Sequence, residues 1–233
     1  MTDIQPTNLL RLNKQLALSL GISRREADNL IDKKIVKIND KVAILGARFS
    51  EGDKITVDGQ PITEKTAYQY VALNKPVGYV CSRRQQGDHP TIYELLPDRF
   101  HKLKPVGRLD RDSSGIILLS NDGDFAYRMT HPSFNKVKIY NIRLEDDLAP
   151  LHQQMISDYG VTLEDGASKL QLERMNNTDR KSWIVTMHEG RNRQIRRTFG
   201  ALGYTVKKLH RTNFGNYSVD DIQLGKFKIV DML

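Results

Sequence analysis

The sequence predicts an α+β protein with a small N-terminal unit and a larger domain built on a mixed, largely antiparallel sheet. Three observations predict this fold class. The 233 residues leave room for one ordinary domain and a small one. A polar, proline-bearing stretch at residues 60–67 separates two patterned regions and is predicted to be a linker. Helical and strand patterns mix without a strict strand-helix-strand alternation.

The first unit, residues 9–59, is predicted to begin with two helices, after a loose polar tail at residues 1–8. Leucines recur at helical spacing across residues 9–20, and Gly21 is a natural helix end. Ser23 with Glu26 three positions later forms a capping-box pattern that predicts the start of a second helix.

Short strands complete the first unit. Residues 36–42 alternate in character around Asn39-Asp40, a dipeptide typical of a tight hairpin turn. Residues 52–59 place an alternating strand between two glycines. We therefore expect a two-helix unit that ends in a small sheet.

The larger domain, residues 68–233, mixes both element types. Apolar or alternating runs predict strands at 68–73, 115–120, 138–144, 170–173 and 182–187. Helical spacing predicts helices at 123–130, 148–158 and 192–202. This mixture predicts the α+β sheet domain stated above.

Composition narrows the function classes. A formal net charge of +8 and a pI of about 9.5 fit a nucleic-acid partner. The single cysteine, Cys81, excludes a disulfide framework or a cysteine-rich zinc site within one chain, and the six histidines lack ligand spacing, so no metal is expected. Phosphate-binding and dinucleotide-binding glycine motifs are absent, which favours chemistry without a cofactor. Neither a membrane-length apolar run nor a signal-peptide core is present, and a cytoplasmic location is expected.

One carboxylate stands among basic residues. Residues 191–211 contain seven Lys or Arg and no acid, while Asp110 lies between Arg108 and Arg111. An acid among phosphate-binding arginines would repel nucleic acid, so the presence of Asp110 calls for a chemical or structural explanation. Asp110 could act as a nucleophile or a base, kept ionised by a partner guanidinium. It could equally pair with Arg108 or cap the following turn, and spacing alone leaves both interpretations open.

Two further side chains could join this acid. Within the predicted helix, Arg196 lies four residues after Asn192, and Arg197 four after Arg193, so each pair shares a face. One face could bind phosphate and the other a carboxylate, although a solvated basic face explains the charge equally well. Tyr140 could stack on a pyrimidine or could be a packing residue of its strand.

The first unit resembles the S4 RNA-binding domain. The matching segments are RLNK at 11–14, SRREA at 23–27, VKIN at 36–39 and GDKITV at 52–57. The resemblance implies RNA binding, with Arg24 and Arg25 at a helix N-terminus, where anions are favoured. The alternative is a generic small α/β unit with a solvated basic helix.

The larger domain resembles the pseudouridine synthases. Residues 107–116 (GRLDRDSSGI) look like their central motif, residues 74–78 (NKPVG) like the first motif, and residues 190–197 (GRNRQIRR) like the third. With the S4-like unit in front, the order is that of the rRNA pseudouridine synthases of A-type (small subunit) and of B- and F-type (large subunit). The resemblance covers roughly residues 10–228.

The resemblance implies a role for each matching residue. Asp110 matches the catalytic aspartate, Tyr140 the ring that stacks on the target uracil, and Arg196 the arginine that pairs with the aspartate. Leu209 looks like the apolar residue that packs against the base. The remaining residues expected to contact RNA or substrate are Arg108, Lys75, Asn192, Arg193 and Arg197, together with Arg24 and Arg25. Ser113 replaces the more usual Thr and keeps the hydroxyl, whereas Thr198 replaces Met and places the local packing in question.

The implied reaction converts a specific uridine of ribosomal RNA to pseudouridine without a metal or cofactor. The third motif looks more like the large-subunit enzymes, whereas residues 78–82 and 88–91 resemble the small-subunit type. We favour 23S rRNA over 16S rRNA. The rival hypothesis is a non-catalytic S4-type RNA-binding or ribosome-assembly factor, and we expect the protein to be a monomer.

Overall fold

The computed structural model describes residues 9–62 and 67–233, in two units that divide between Tyr68 and Gln69. The predicted tail at 1–8 and the part of the predicted linker at 63–66 lie outside the described residues. The start of that linker was wrong, because Gln60–Pro61 forms a strand that pairs with Ile55–Val57.

In its described residues, the first unit contains two helices and six short strands. Its elements are β1 Leu10–Arg11, α1 Leu12–Leu20, α2 Arg24–Asp32, β2 Val36–Ile38, β3 Lys41–Val42, β4 Arg48–Phe49, β5 Ile55–Val57 and β6 Gln60–Pro61. Four strands form a sheet in the order β3-β2-β5-β6, and β1 pairs with β4. The helices bury one face each, with Leu12, Leu16, Ala27 and Ile31 in a common core. The predicted two-helix unit with a small sheet is confirmed.

Local turn chemistry of the first unit follows the sequence patterns. Gly21 ends α1 in the left-handed conformation, at φ 67°. Ser23 Oγ accepts from the Glu26 N–H at 3.1 Å, and Glu26 Oε2 accepts from the Ser23 N–H at 2.6 Å, which completes the predicted capping box. Asn39 and Asp40 both have positive φ, as the hairpin turn between β2 and β3 requires.

The second unit holds the large sheet. Its strands are β7 Tyr70–Lys75, β8 Lys104–Val106, β9 Ser114–Ser120, β10 Lys138–Leu144, β11 Val161–Leu163, β12 Gly166–Ser168, β13 Gln171–Arg174, β14 Ser182–Met187, β15 Val206–Phe214, β16 Tyr217–Ser218 and β17 Phe227–Ile229. The main order is β13-β14-β10-β15-β9-β7-β17, with β16 beside β15 and β8 beside β9. Among the described strand pairs, only β9 and β15 run parallel. The predicted mixed, largely antiparallel α+β domain is confirmed.

Strand β9 is buried on both faces. Ile117 and Leu119 join the larger core with Trp183, whereas Ile116 and Leu118 join a second core on the other face. This two-sided burial explains why the strand reads as a continuous apolar run instead of an alternating one.

The longest strand, β15, was missing from the predicted strands. It lies between β10 and β9, yet its sequence VKKLHRTNF has no clean alternation. Its pairing with β10 shifts register between Ile139 and Tyr140 and again between Arg143 and Leu144. Each shift moves side chains to the opposite face, so the period of two that identifies a strand is lost.

The helices of the second unit are α3 Gly123–Thr130, α4 Pro150–Gln154 and α5 Gln194–Gly200. Helix α3 has its predicted bounds. The predicted helix 148–158 is instead α4 followed by a π-helical turn, Met155–Tyr159. The predicted helix 192–202 ends earlier, at Gly200, and begins two residues later because Arg193 has φ 46°, a left-handed conformation that cannot form part of a helix. In the described residues, no helix is long and apolar enough to span a membrane.

Candidate active site

A cavity of about 450 Å³ opens in the second unit. Its wall comes from the loop between β8 and β9, from β10 and β15, and from the loop that precedes α5. Six residues expected from the sequence to act on substrate or RNA line it: Arg108, Asp110, Tyr140, Asn192, Arg193 and Leu209. The fold therefore gathers side chains that are separated by up to 101 positions in the chain.

Asp110 is the acid of this cavity. It lies on the loop between β8 and β9, where its backbone carbonyl accepts from the Ser113 N–H at 3.1 Å and closes a turn. The carboxylate takes no part in that bond, and its Oδ2 lies 3.5 Å from Nη1 of Arg193. The side chain is about one-third exposed. Asp110 thus presents an oxygen to the cavity beside a guanidinium.

The expected partner of Asp110 was wrong. Arg196 does not pair with Asp110; its Nε lies 3.2 Å from Oδ2 of Asp112, and its Nη2 donates to the backbone carbonyl of Asp112 at 2.9 Å. Its Nη1 donates to the backbone carbonyl of Val206. Arg196 therefore ties the loop that carries Asp110 to the start of β15, from just outside the cavity lining.

Arg193 is the guanidinium between the two acids. Its Nη1 and Nη2 donate to Oδ1 and Oδ2 of Asp112 at 3.0 and 3.1 Å, a two-pronged pair that fixes the guanidinium plane. Because Arg193 precedes α5, it does not share a helix face with Arg197, as the predicted helix required. The left-handed backbone of Arg193 is what directs its side chain to Asp112 and Asp110.

Electrostatics keep Asp112 ionised. Burial would raise its pKa, but the hydrogen bond from Arg193 and the charges of Arg196 and Arg193 lower the pKa below the ordinary 3.8. The hydrogen bond to Asp112 also raises the pKa of Arg193. Asp112 was not singled out in the sequence, although a second acid two positions after Asp110 was a visible signal.

Tyr140 and Leu209 supply an apolar wall. They lie on the paired strands β10 and β15, are mostly buried, and belong to the larger core as well as to the cavity lining. Ile195 and Met187 extend the same surface. The two alternatives for Tyr140 are therefore compatible, since the same side chain packs in the core and lines the cavity. A planar, apolar group can be held there beside the carboxylate.

Arg197, expected to bind RNA, has an internal partner. Its Nη1 and Nη2 donate to the two carboxylate oxygens of Asp165 at 3.0 and 2.6 Å. Arg191 donates to the same carboxylate at 2.8 Å and to backbone carbonyls of the β11–β12 turn. The hydrogen bond from Arg197 lowers the pKa of Asp165. Two cations of the basic stretch, one in the loop before α5 and one in α5 itself, therefore fasten the β11–β12 hairpin to this part of the chain.

Gln194 and Thr198 belong to a buried polar cluster with Ser168. Gln194 is buried; its Oε1 accepts from the Arg191 N–H at 3.1 Å, and its Nε2 donates to Ser168 Oγ at 3.0 Å. Thr198 Oγ1 lies 2.7 Å from the same Ser168 hydroxyl and donates to the Gln194 carbonyl at 2.9 Å. The sequence left the packing around Thr198 in question. In the structure its hydroxyl is hydrogen-bonded within this buried cluster.

Lys75, also expected to contact substrate or RNA, is inside the fold. Its exposure is 0%, and its Nζ donates to the backbone carbonyls of Pro76 and Tyr79 at 3.0 and 2.9 Å. Burial lowers its pKa to about 8. Lys75 therefore holds the turn after β7 and presents no charge to the surface.

The remaining basic residues differ in place and setting. Arg24 and Arg25 are exposed in the first turn of α2, as expected from the sequence. Lys138, which the sequence reasoning passed over, lines the cavity, and its Nζ donates to the Glu189 carbonyl at 3.2 Å. Burial and then repulsion by Arg211 lower the pKa of Lys138. Across residues 9–62 and 67–233, no cluster of His, Cys, Asp and Glu side chains could hold a metal ion.

Comparisons with known proteins identify the relatives of both units. The family model described as RNA pseudouridylate synthase matches residues 69–201, and the S4 domain model matches residues 10–55. The chain is 35% identical over 214 residues to ribosomal small subunit pseudouridine synthase A of Pasteurella multocida, with 91% of each chain covered. It is 32% identical to ribosomal large subunit pseudouridine synthase B of Bacillus subtilis, covering 92% of this chain and 89% of that one. A crystal structure of a pseudouridylate synthase superposes with a TM-score of 0.67 at 32% identity, covering 95% and 96% of the two chains.

Proposed function

The chain belongs to the RNA pseudouridylate synthase family and carries an S4 domain, and on that premise we propose that it isomerises a uridine of ribosomal RNA with Asp110 as the catalytic residue. One observation carries the assignment of Asp110. Its carboxylate lies in the cavity with a guanidinium 3.5 Å away and an apolar wall from Tyr140 and Leu209.

The reaction rearranges bonds without loss of atoms. The bond from C1′ to N1 of the uracil breaks, the base turns, and C1′ joins C5; the hydrogen of C5 leaves and N1 gains one. Asp110 can serve as the nucleophile or as the base in this sequence, and both roles need an ionised carboxylate. Arg193 places a positive charge 3.5 Å from this carboxylate.

The target base must leave its stack to reach Asp110, at a cost of a few kcal/mol. We propose that the ring of Tyr140 and the side chain of Leu209 hold the uracil plane, and that Arg108 and Asn192 contact the adjacent sugar-phosphate backbone. Arg24 and Arg25 would bind RNA phosphate through the S4 domain. Arg196 acts here as a positioning residue, through its contact with Asp112.

We propose 23S rRNA as the substrate. The chain resembles one enzyme of each ribosomal class to similar degrees, at 35% identity for the small-subunit enzyme and 32% for the large-subunit enzyme, so overall similarity does not choose between them. The choice follows from the third motif at residues 190–197, which looks more like the large-subunit enzymes. A cytoplasmic, monomeric enzyme is the matching expectation. Carbodiimide-stop mapping of rRNA from cells with and without the gene will identify the site, and a stop lost from 16S rRNA would reverse the choice of substrate.

The variant Asp110→Asn tests the catalytic assignment. We expect pseudouridine formation to stop while RNA affinity stays within about a few-fold, because Asn keeps the shape but cannot act as nucleophile or base. Asp158→Asn, an exposed acid outside the cavity lining, is the matched control and should retain full turnover. Turnover by Asp110→Asn would refute the assignment. A wild-type protein that binds rRNA but forms no pseudouridine would support the assembly-factor hypothesis instead.

A further inference from the structure

Three aromatic rings form an exposed cluster at the end of α3. Tyr127, His131 and Phe134 have ring centroids 4.6 Å apart for the first pair, 5.7 Å for Tyr127 and Phe134, and 6.4 Å for His131 and Phe134. Tyr127 is 54% exposed and Phe134 42%. Within the described residues, neither side chain belongs to one of the two cores of the second unit. Their packing against each other thus leaves ring surface open to solvent.

This ring cluster (Tyr127, His131 and Phe134) borders the cavity. Thr130 and Pro132, which alternate with the rings along the same segment, line the cavity together with Asp110. The segment is also joined to the far wall, because the Asn135 carbonyl lies 3.2 Å from Nδ1 of His188, another lining residue. Each ring therefore lies within three residues of the cavity lining, where the nucleotides next to one that occupies the cavity can contact it.

The charge around the ring cluster suits a polyanion. From residue 127 to residue 138 the chain carries Arg128, Lys136 and Lys138 and no acid. Lys138 extends this charge into the cavity wall. Rings interleaved with cations are the chemistry by which proteins hold single-stranded nucleic acid, with bases stacked on rings and phosphates near cations. A protein partner would require apolar contact area and has no need of these three cations.

We propose that the ring cluster is a stacking surface for the unpaired nucleotides that flank the target uridine. This proposal rests on the proposed function, since it takes the cavity as the site of the turned-out base. When the target uridine leaves the stack, the bases beside it lose a neighbour. The exposed faces of Tyr127 and Phe134 replace that neighbour and hold the strand open at the cavity mouth.

The test measures affinity alone, in the full-length protein with Asp110→Asn, so that binding does not depend on turnover. Fluorescence anisotropy follows a labelled oligouridylate of about twelve nucleotides, a length within the range of single-stranded sites. We expect the double variant Tyr127→Ala and Phe134→Ala to bind it on the order of tenfold more weakly, and to bind a fully paired RNA duplex as before. Tyr127→Phe keeps the ring and should keep the affinity.

Tyr159→Ala is the matched control, because Tyr159 is exposed and lies outside the cavity lining. It should leave oligouridylate binding unchanged. The slope of affinity against salt should also be unchanged in the double variant, since no phosphate-binding cation is removed. The proposal is overturned if the double variant binds the oligouridylate within about twofold of its parent, the result expected if the rings contact a protein, or if it loses duplex affinity equally. Failure of the proposed function would show differently, as absence of pseudouridine in rRNA treated with the wild-type enzyme.

Discussion

The carboxylate of Asp112 offers the sharpest test of how this site is built. The carboxylate accepts hydrogen bonds from Nη1 and Nη2 of Arg193 and lies 3.2 Å from Nε of Arg196. One acid, two residues after Asp110, therefore holds two guanidinium groups in place. In Asp112→Asn, an amide NH₂ group replaces one carboxylate oxygen, and hydrogen-bond donors of the amide then face donors of a guanidinium. We expect Arg193 to leave its place, which changes the charge 3.5 Å from Asp110.

The expected loss of unfolding free energy follows from how exposed each of the three side chains is. Asp112 and Arg193 are 42% and 43% exposed, so their pair is screened and contributes about 1 kcal/mol. Arg196 is only 14% exposed, and loss of its counterion adds roughly 1–2 kcal/mol. The expected total of about 2–3 kcal/mol corresponds to a fall in Tm of roughly 4–12 °C for a unit of this size. We expect kcat to fall by about tenfold or more, because small misplacements of a catalytic constellation carry costs of that order.

Asp165→Asn is the matched control. Asp165 also binds two arginines, Arg191 and Arg197, and is 41% exposed, but it does not line the cavity. Thermal unfolding and single-turnover pseudouridine assays on both variants separate the two effects. Both should lose Tm, and only Asp112→Asn should lose kcat strongly. Equal kcat in Asp112→Asn and wild type, or equal losses in the two variants, would refute the reasoning.

Acid titration gives an independent measure of the same residue. The folded-state pKa of Asp112 lies below its ordinary value of 3.8. Its stabilising contribution is therefore fully present above that value and is lost as the pH falls through the folded-state pKa. The difference in unfolding free energy between wild type and Asp112→Asn should be constant near neutral pH and should shrink below about pH 4.

Two further predictions concern buried positions in the strands next to the site. Gly115 has φ +110°, and a Cβ there would lie 2.1 Å from the Arg211 carbonyl, so Gly115→Ala should lower Tm by more than about 10 °C, or leave no soluble protein, by forcing β9 and β15 apart. Gly200→Ala, with open space at its Cβ, should instead be neutral or raise the unfolding free energy by about 0.5–1 kcal/mol; equal thermal shifts in the two variants would contradict the steric argument. Lys75 has its pKa lowered from 10.5 to about 8, so its buried charge destabilises the fold below pH 8 and the penalty is relieved as the pH rises toward 10.5. Wild type should therefore gain up to about 3 kcal/mol relative to Lys75→Met across that pH window in denaturant titrations, and an unchanged difference would show that burial does not lower the pKa of Lys75.

The site could be predicted from the sequence only as a set of residues. Asp110, Tyr140 and Leu209 do share one cavity with Arg108, Asn192 and Arg193. Which acid each guanidinium binds could not be predicted from the sequence. The predicted helix began at residue 192, and one left-handed residue, Arg193, moved that start and directed its own guanidinium toward the acids. Backbone conformations of that kind depend on what the side chain finds in three dimensions, here Asp112, 81 positions earlier.

What the sequence by itself determined is local. The end of α1 at Gly21, the capping box of Ser23 and Glu26, and the hairpin turn at Asn39-Asp40 all depend on groups within a few positions of each other. What only the tertiary structure decided is long-range. The central place of β15, the burial of Lys75 and the capture of Arg197 by Asp165 arise from contacts between distant segments. A lysine or arginine has the same chemistry at the surface, in a cavity or in an internal ion pair, and only the segments that pack around it determine which of these settings it occupies.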